Sequence, residues 1–224
     1  MARTPPLLSL TLMLMLAGSA SAATLDLVFK RADGSPVADA VVTLQGPPGS
    51  SSAVLKANMD QRGQRFAPHV LAVHTGTQVR FPNSDNIRHQ VYSFSAAKRF
   101  ELRLYEGTPA EPLLFDKPGV VVLGCNIHDW MLGYIYVTDD PLFAVSDAQG
   151  QVHLKQLAPG DYRATLWHPQ LADMQPLDGG TLHVPAAGLR HNVVLALEPA
   201  SEDLPPTPSA FGDAFNRAAR ETAQ

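Results

Sequence analysis

The heptad Cys125-Asn126-Ile127-His128-Asp129-Trp130-Met131 follows an apolar run, residues 120–123, which lies between Gly119 and Gly124. It places a thiol, an imidazole and a thioether at Cys-x2-His-x2-Met spacing, in a predicted loop that leaves a predicted strand. Soft sulfur ligands combined with imidazole favour copper over magnesium or calcium, and a trigonal His2Cys set with a weak axial Met defines the blue-copper site. The heptad therefore predicts most of a copper site.

A blue-copper site needs a second histidine, and His89 is the candidate that the strand pattern favours. The polar turn 83–88 ends immediately before it, and the strand-like stretch 90–94 follows it. A tight loop with several ligands, completed by one ligand from a distant strand, gives the rigid geometry that a metal site requires. The candidate ligands of one type 1 copper ion are therefore His89, Cys125, His128 and Met131.

Each of these residues, taken alone, has a more ordinary explanation. A lone histidine at a strand start is more often a surface or core residue, and a buried cysteine is usually an inert hydrophobe. Zinc is the competing metal, but structural zinc sites use closely spaced pairs of Cys and His rather than Met. A catalytic Cys-His pair is the competing enzyme site, but no nucleophile elbow or oxyanion loop accompanies Cys125. We therefore expect a metal-binding protein and not an enzyme.

The N-terminal residues predict export from the cytoplasm. Arg3 precedes an apolar run over residues 7–17, and small residues follow up to Ala22. This pattern is typical of a secretory signal peptide over residues 1–22, cleaved after Ala22. The run is shorter than the roughly 20 residues that span a bilayer, so no membrane span is expected in the mature chain. The only cysteine, Cys125, cannot form an internal disulfide in the expected periplasmic location, and a metal-ligand role fits an odd exported cysteine.

Composition and turn signals predict an all-β protein. The 224 residues carry 17 Lys+Arg against 21 Asp+Glu, and this formal charge of -4 makes nucleic acid an unlikely partner. Short strand-like runs, among them residues 25–30, 37–44, 100–105 and 134–137, alternate with turns rich in Gly and Pro. Many short strands with frequent turns are typical of β-sandwiches or barrels.

The central stretch, residues 51–138, resembles a cupredoxin of the plastocyanin group. The residues that carry the resemblance are Phe66-Ala67-Pro68, residues 76–83, His89-Gln90-Val91 and the heptad. The heptad spacing is most similar to that of amicyanin, and the whole stretch resembles exported cupredoxin-like proteins called methylamine utilisation proteins. The resemblance implies a Greek-key sandwich whose copper ligands are the four candidates. It also implies that Asn83 ties the two ligand loops together by hydrogen bonds.

The sequence differs from the cupredoxin pattern at two places, and these differences bear on the redox partner rather than on the metal. Gln90 stands where Asn often follows the first ligand, and Asp129-Trp130 replaces a Pro-containing apolar pair. The redox partners of amicyanin are therefore not carried over to this chain.

The flanks, residues 23–50 and 139–198, resemble a carboxypeptidase-regulatory-like domain, a small β-sandwich of the transthyretin type. The residues that carry this resemblance are 33–40, 146–151 and 157–162. Because these two parts are normally close together in sequence, the resemblance implies that the cupredoxin domain is inserted into the smaller sandwich. The alternative is two domains in tandem. Residues 199–224, rich in Pro and acidic groups at first, are expected to form a flexible C-terminal tail, in which residues 211–220 are either a weakly held helix or more of the unstructured tail.

The expected function is electron transfer between redox partner proteins through the copper site. His128 would be the electron exit, and Ile127 and Trp130 would form part of an apolar docking patch. The leading alternative is a copper-binding or copper-delivery protein that does not cycle between oxidation states, and a second alternative is an adhesion module that has lost its metal.

Overall fold

A computed structural model describes residues 22–47, 55–109 and 111–198. These residues form an all-β structure, as predicted, with one short 3-10 helix at Ala172–Met174. The predicted signal peptide, apart from its last residue, and the predicted C-terminal tail lie outside the described residues. The strands are β1 (Ala23–Lys30), β2 (Val41–Gln45), β3 (Lys56–Asn58), β4 (Asp60–Gln61), β5 (Phe66–Ala67), β6 (Val70–His74), β7 (Thr77–Arg80), β8 (His89–Phe94), β9 (Arg99–Tyr105), β10 (Leu113–Phe115), β11 (Gly119–Cys125), β12 (His128–Thr138), β13 (Leu142–Val145), β14 (Gln151–Leu157), β15 (Gly160–Trp167), β16 (Leu177–Val184) and β17 (Leu189–Val194).

The first two strands pair with strands that come more than a hundred residues later. One sheet has the order β14-β1-β17, in which β1 is antiparallel to β14 and parallel to β17. The other has the order β13-β2-β15-β16. Buried side chains of both segments share one core, including Phe29, Leu44, Tyr162 and Val184. We call this part the flanking sandwich. Its transthyretin-like character and the domain boundaries stay predictions.

The strands between these two segments form the sheets that carry the candidate site. A five-stranded sheet has the order β6-β12-β11-β8-β9, and a three-stranded sheet has the order β10-β7-β3. Their common core includes Phe81, Phe115, Leu123 and Ile135, together with Cys125. We call this part the central sandwich. Its Greek-key connectivity stays a prediction.

A third buried cluster joins the two sandwiches. It contains Val41, Val70, Tyr134, Tyr136 and Trp167, and we call it the junction cluster. The indole ring of Trp167 lies 5.8 Å from the ring of Tyr134 and 5.4 Å from that of Tyr136, measured between centroids. Both tyrosines lie on β12, the strand that begins at a candidate ligand, so this strand connects the site with the junction.

Within the described residues, no helix is long and apolar enough to cross a membrane.

Candidate metal centre

Three strand ends bring the candidate ligands together. His89 is the first residue of β8, Cys125 is the last residue of β11, and His128 is the first residue of β12. The predicted ligand loop is shorter than expected, because only Asn126 and Ile127 separate β11 from β12. Cys125 pairs with His128 across this turn, and a register irregularity lies between it and the preceding pair. The short strand that was predicted over residues 134–137 is therefore longer in the structure and begins at the candidate ligand His128.

Both imidazole rings direct the same nitrogen at the thiol. The Nδ1 atom of His89 lies 3.8 Å from Sγ of Cys125, and the Nδ1 atom of His128 lies 3.7 Å from it. These three ligand atoms all lie within 4.8 Å of one another. His89 and Cys125 are buried, whereas His128 is half-buried. The structure thus brings three of the four candidate ligands into one cluster.

The spacing of these atoms fits a metal ion. In zinc sites, thiolate sulfur binds at about 2.3 Å and imidazole nitrogen at about 2.0–2.1 Å. With these bond lengths, sulfur and nitrogen would be about 3.8 Å apart at an angle of about 120°, and about 3.6 Å apart at a tetrahedral angle. The observed distances of 3.8 and 3.7 Å lie within this range, so the thiol and both imidazoles fit a single metal ion.

Met131, the fourth candidate, lies in the same buried core as Cys125. Its side chain is only 1% exposed, and Cys125 is 2% exposed. Burial of the thioether beside the thiol is compatible with a weak axial bond, but packing alone would bury it equally well. The axial role of Met131 therefore stays a prediction.

The second nitrogen of His89 is fixed by Asp85, a residue that the sequence did not single out. Nε2 of His89 lies 2.8 Å from Oδ2 of Asp85, so Nε2 carries the proton and Nδ1 keeps its lone pair for a metal. The backbone N–H groups of Gly63 and Gln64 donate to the same carboxylate, at 2.6 and 2.9 Å. The available signal was a carboxylate in the polar turn, four residues before the candidate ligand.

The surroundings lower the pKa values of both Asp85 and His128. Burial acts to raise the pKa of Asp85, but hydrogen bonds from Gln64 and Gly63 and the contact with His89 outweigh it, so the pKa is lowered. Burial is the main cause that lowers the pKa of His128, and the neighbouring His89 lowers it further. A neutral imidazole is the form that binds a metal ion.

Asn83 supports the His89 loop, but not in the predicted way. Its Nδ2 donates to the carbonyl oxygens of Ile87, at 2.8 Å, and Tyr105, at 3.0 Å, and its Oδ1 accepts from the N–H of Asp85, at 3.0 Å. These partners lie in the loop before His89 and at the end of β9. The expectation that Asn83 ties the His89 loop to the Cys125 loop is therefore wrong.

The half-buried ligand His128 has an aromatic neighbour, and an apolar residue is exposed at the adjacent turn. The indole of Trp130 contacts the imidazole of His128, with ring centroids 5.2 Å apart and planes inclined by 55°. Ile127 is 46% exposed at the tip of the turn, and Asp129 is exposed beside it. Ile127 thus has the exposure that a docking patch requires, whereas Trp130 is half-buried against the ligand.

No family model and no curated protein matches the chain. Solved structures resemble parts of it. A copper-containing nitrite reductase from Thermus scotoductus SA-01 is 28% identical over 44% of this chain, with a TM-score of 0.36, and the match spans only 26% of that reductase. A purple cupredoxin from Nitrosopumilus maritimus is 21% identical over 37% of this chain and 99% of its own, with a TM-score of 0.33. A Cu(I) form of an amicyanin variant is 19% identical over 43% of this chain and 99% of its own, with a TM-score of 0.34.

Proposed function

We propose that the protein is a periplasmic type 1 copper protein of the cupredoxin type that carries single electrons between redox partners. The observation that carries this proposal is the convergence of two Nδ1 atoms on one buried thiol at 3.7 and 3.8 Å. His89, Cys125 and His128 would hold the metal, and Met131 would be a fourth, weaker ligand. Bound copper would supply one-electron redox chemistry.

The protein's part in electron transfer is to keep this ligand set rigid. His89 is buried and held by Asp85, which is itself anchored by the β4–β5 turn. Cys125 and His128 are paired across a two-residue turn between strands. Ligands that cannot move far keep nearly the same geometry in both oxidation states, so little reorganisation accompanies each transfer. The half-buried His128 would be the route by which electrons enter and leave.

The burial of Cys125 argues against the enzyme alternative. A nucleophilic thiolate must be reached by its substrate, and reactive cysteines are partly exposed. Cys125 is only 2% exposed and lies inside the central core. Burial, and then the neighbouring His89, lower the pKa of His128, which disfavours the imidazolium that commonly activates a catalytic thiolate. A metal-binding role uses both properties.

The experiment that tests the proposal is copper loading of the mature chain, followed by visible and EPR spectroscopy. We expect an intense blue thiolate band and narrow copper hyperfine splitting, both lost in Cys125→Ser. His183→Ala is the matched control, since this exposed histidine lies on the flanking sandwich, and it should leave both signals unchanged. A colourless protein that binds only Cu(I) would favour copper delivery. A protein that binds no copper would refute both functions.

Export and domain insertion belong to the same proposal. The pairing of β1 and β2 with strands after residue 142 supports insertion of the central sandwich into the flanking one. N-terminal sequencing of the protein recovered from the periplasmic fraction would test export, with cleavage after Ala22 as the expected result. Recovery of the intact chain from the cytoplasm would contradict it.

A further inference from the structure

A groove lies on the outer face of the five-stranded sheet, and its apolar half is directly beside the candidate metal centre. Tyr92, Phe94 and Leu132 line it around Gly124, the residue that precedes Cys125, and this half of the groove has a volume of about 340 Å³. A Cβ atom on Gly124 would lie 2.7 Å from the ring of Tyr92, so this ring lies directly on the backbone at residue 124. The groove therefore reaches the strand end that carries the thiol.

The groove continues along β11 toward the flanking sandwich. Its second half, with a volume of about 380 Å³, is lined by Val120 and Tyr136 on one side and by residues 173–176 on the other. Ser95 and Val122 line both halves, so the two are continuous. Since β11 rises about 3.3 Å per residue, the distance from residue 120 to residue 124 is about 13 Å.

Large apolar side chains remain exposed at both ends of the groove. Phe94 is 71% exposed at the end beside the metal centre, and Met174 is 37% exposed at the other. Burial of these two side chains by a further segment would be favourable, because it would remove apolar surface from water. Within the described parts of the chain, no segment covers this face.

The described chain ends close to the groove. The N–H of Glu198 donates to the carbonyl oxygen of Gln170 at 2.8 Å. Asp173, which lines the groove, follows Gln170 by three residues, and three residues span at most about 11 Å. The chain beyond Glu198 therefore starts within about 15 Å of the groove.

The sequence beyond Glu198 contains an apolar stripe of matching length. Phe211, Ala214, Phe215 and Ala218 recur at the spacing of one helix face, and polar residues such as Asn216 fall on the other. A helix over residues 211–220 would be about 15 Å long, close to the length of the groove. The connection over residues 199–210 can span up to about 40 Å, which is more than the reach requires.

We propose that residues 211–220 of this chain dock in the groove as an amphipathic helix, with Phe211 and Phe215 as its anchors. The docked segment would cover the sheet face beside Cys125 and would leave the turn at Ile127 free. Partner proteins would then reach the metal centre at the turn and not from the sheet face. This contact does not depend on the identity of the metal, nor on whether copper binds.

Photo-crosslinking in the full chain tests the contact directly. A benzoylphenylalanine in place of Phe215 is expected to cross-link to peptides that contain Tyr92–Ser95 or Val120–Leu132, and the same probe in place of Asn216 is the matched control. The sample is an equal mixture of ordinary and ¹⁵N-labelled protein without metal. Cross-links to the groove support the proposal if the two joined peptides always carry the same isotope, because they then come from the same chain. Mixed-isotope cross-links would mean that a second copy fills the groove, and cross-links elsewhere or none at all would also overturn it.

Fluorescence quenching by acrylamide gives an independent measurement. The chain has two tryptophans, and Trp167 is fully buried, so quenching reports mainly on Trp130, which lies two residues before the groove residue Leu132. Phe211→Ala/Phe215→Ala is expected to increase quenching, and the opposite-face variant Asp213→Ala/Asn216→Ala is expected to leave it unchanged. Equal quenching in the wild type and both variants, with unchanged circular dichroism, would contradict docking.

Discussion

The carboxylate of Asp85 selects which nitrogen of His89 is available to a metal. By accepting a hydrogen bond from Nε2–H it leaves the lone pair of Nδ1 for a metal, and this Nδ1 atom lies 3.8 Å from the thiol of Cys125. Partners of this kind raise the basicity of a ligand and fix its ring orientation. The same carboxylate also accepts hydrogen bonds from two backbone N–H groups, so Asp85 connects His89 to the β4–β5 turn.

Asp85→Ala is therefore expected to lower copper affinity by about 10–100-fold, the usual effect of removing such a partner. Asp85→Asn keeps an acceptor for the Nε2 proton and should retain more of the affinity than Asp85→Ala. Titration against a copper chelator of known strength measures both constants, and the visible spectrum reports the ligand geometry. Wild-type affinity in Asp85→Ala would show that the contact does not orient His89.

The amino-acid sequence predicted the candidate ligands better than the residues that hold those ligands in place. Cys125, His128 and Met131 are close in sequence, so their spacing alone indicated a shared site. The partners of Asn83 depend on where the end of β9 lies, because one of them is the carbonyl of Tyr105. Sequence spacing contains no information on such a tertiary approach. The Asn83 prediction failed for this reason. The contact of Asp85 with His89, by contrast, is local, because the two residues are only four positions apart.

Among the elements, β12 combines the ligand end with a tightly packed middle. An added Cβ atom on Gly133 would lie 2.7 Å from Cβ of Phe66. Because the Cβ atom of Phe66 is fixed to its own backbone, side-chain rotation cannot relieve this contact. The strand requires glycine here so that β5 can approach it closely.

Gly133→Ala is expected to destabilise the protein by about 1–3 kcal/mol, the usual cost of overpacking a core. Urea unfolding of the metal-free protein measures the change. Gly63→Ala serves as a comparison for an added methyl group, since an added Cβ there meets no atom within 4 Å, although that residue has a φ of +62°. A cost for Gly133→Ala no larger than that for Gly63→Ala would show that β5 moves away freely.

His168 connects the end of β15 to the chain before β2. Its Nε2–H donates to the carbonyl oxygen of Ala38, at 3.1 Å, and its Nδ1 accepts from the N–H of Gln170, at 3.1 Å. Burial is the main cause that lowers the pKa of His168 to about 4. The folded protein therefore keeps this imidazole neutral at pH values at which an unfolded chain, with a pKa near 6.5, takes up a proton.

Because the folded-state pKa is lowered, stability is lost as the pH falls from about 6.5 to about 4. The loss that depends on His168 is about 3 kcal/mol at the lower end of this range. Urea unfolding at several pH values should show this loss in the wild type. In His168→Gln, which has no titrating group at this position, the unfolding free energy should fall less over the same range. Equal pH dependence in the two proteins would contradict the assignment.

The strand pattern predicted the elements, but their ends depend on distant contacts. Residues 37–44 were predicted as one strand, whereas β2 begins only at Val41. Asp39 adopts a φ of +63°, and the hydroxyl of Ser146 accepts the N–H of Ala40 at 2.9 Å. A contact with a serine more than a hundred residues away thus helps to keep Ala40 out of the strand, so that β2 begins at Val41. No local pattern contains that information.

For the whole molecule, Trp167 is the side chain that joins the two sandwiches. It is fully buried between Tyr134 and Tyr136, and its Nε1–H donates to the carbonyl oxygen of Met174 at 2.9 Å. Replacement of a buried Trp by Ala costs about 3–5 kcal/mol. Here much of that loss falls on the junction cluster rather than on either core. We therefore expect the two sandwiches to unfold together only while Trp167 is present.

Metal binding makes it possible to measure whether the two sandwiches unfold together. A bound metal ion stabilises every part of the protein that unfolds in the same transition as its site. In wild-type protein, calorimetry should show a single transition that moves to higher temperature when copper is added. In Trp167→Ala, two transitions should appear, and copper should shift only the one that belongs to the central sandwich. Leu25→Ala is the matched control, since it removes a buried side chain from the flanking core but leaves the junction intact, and it should keep one copper-shifted transition. Two transitions in the wild type, or a single copper-shifted transition in Trp167→Ala, would show that the sandwiches are coupled by other contacts or not at all.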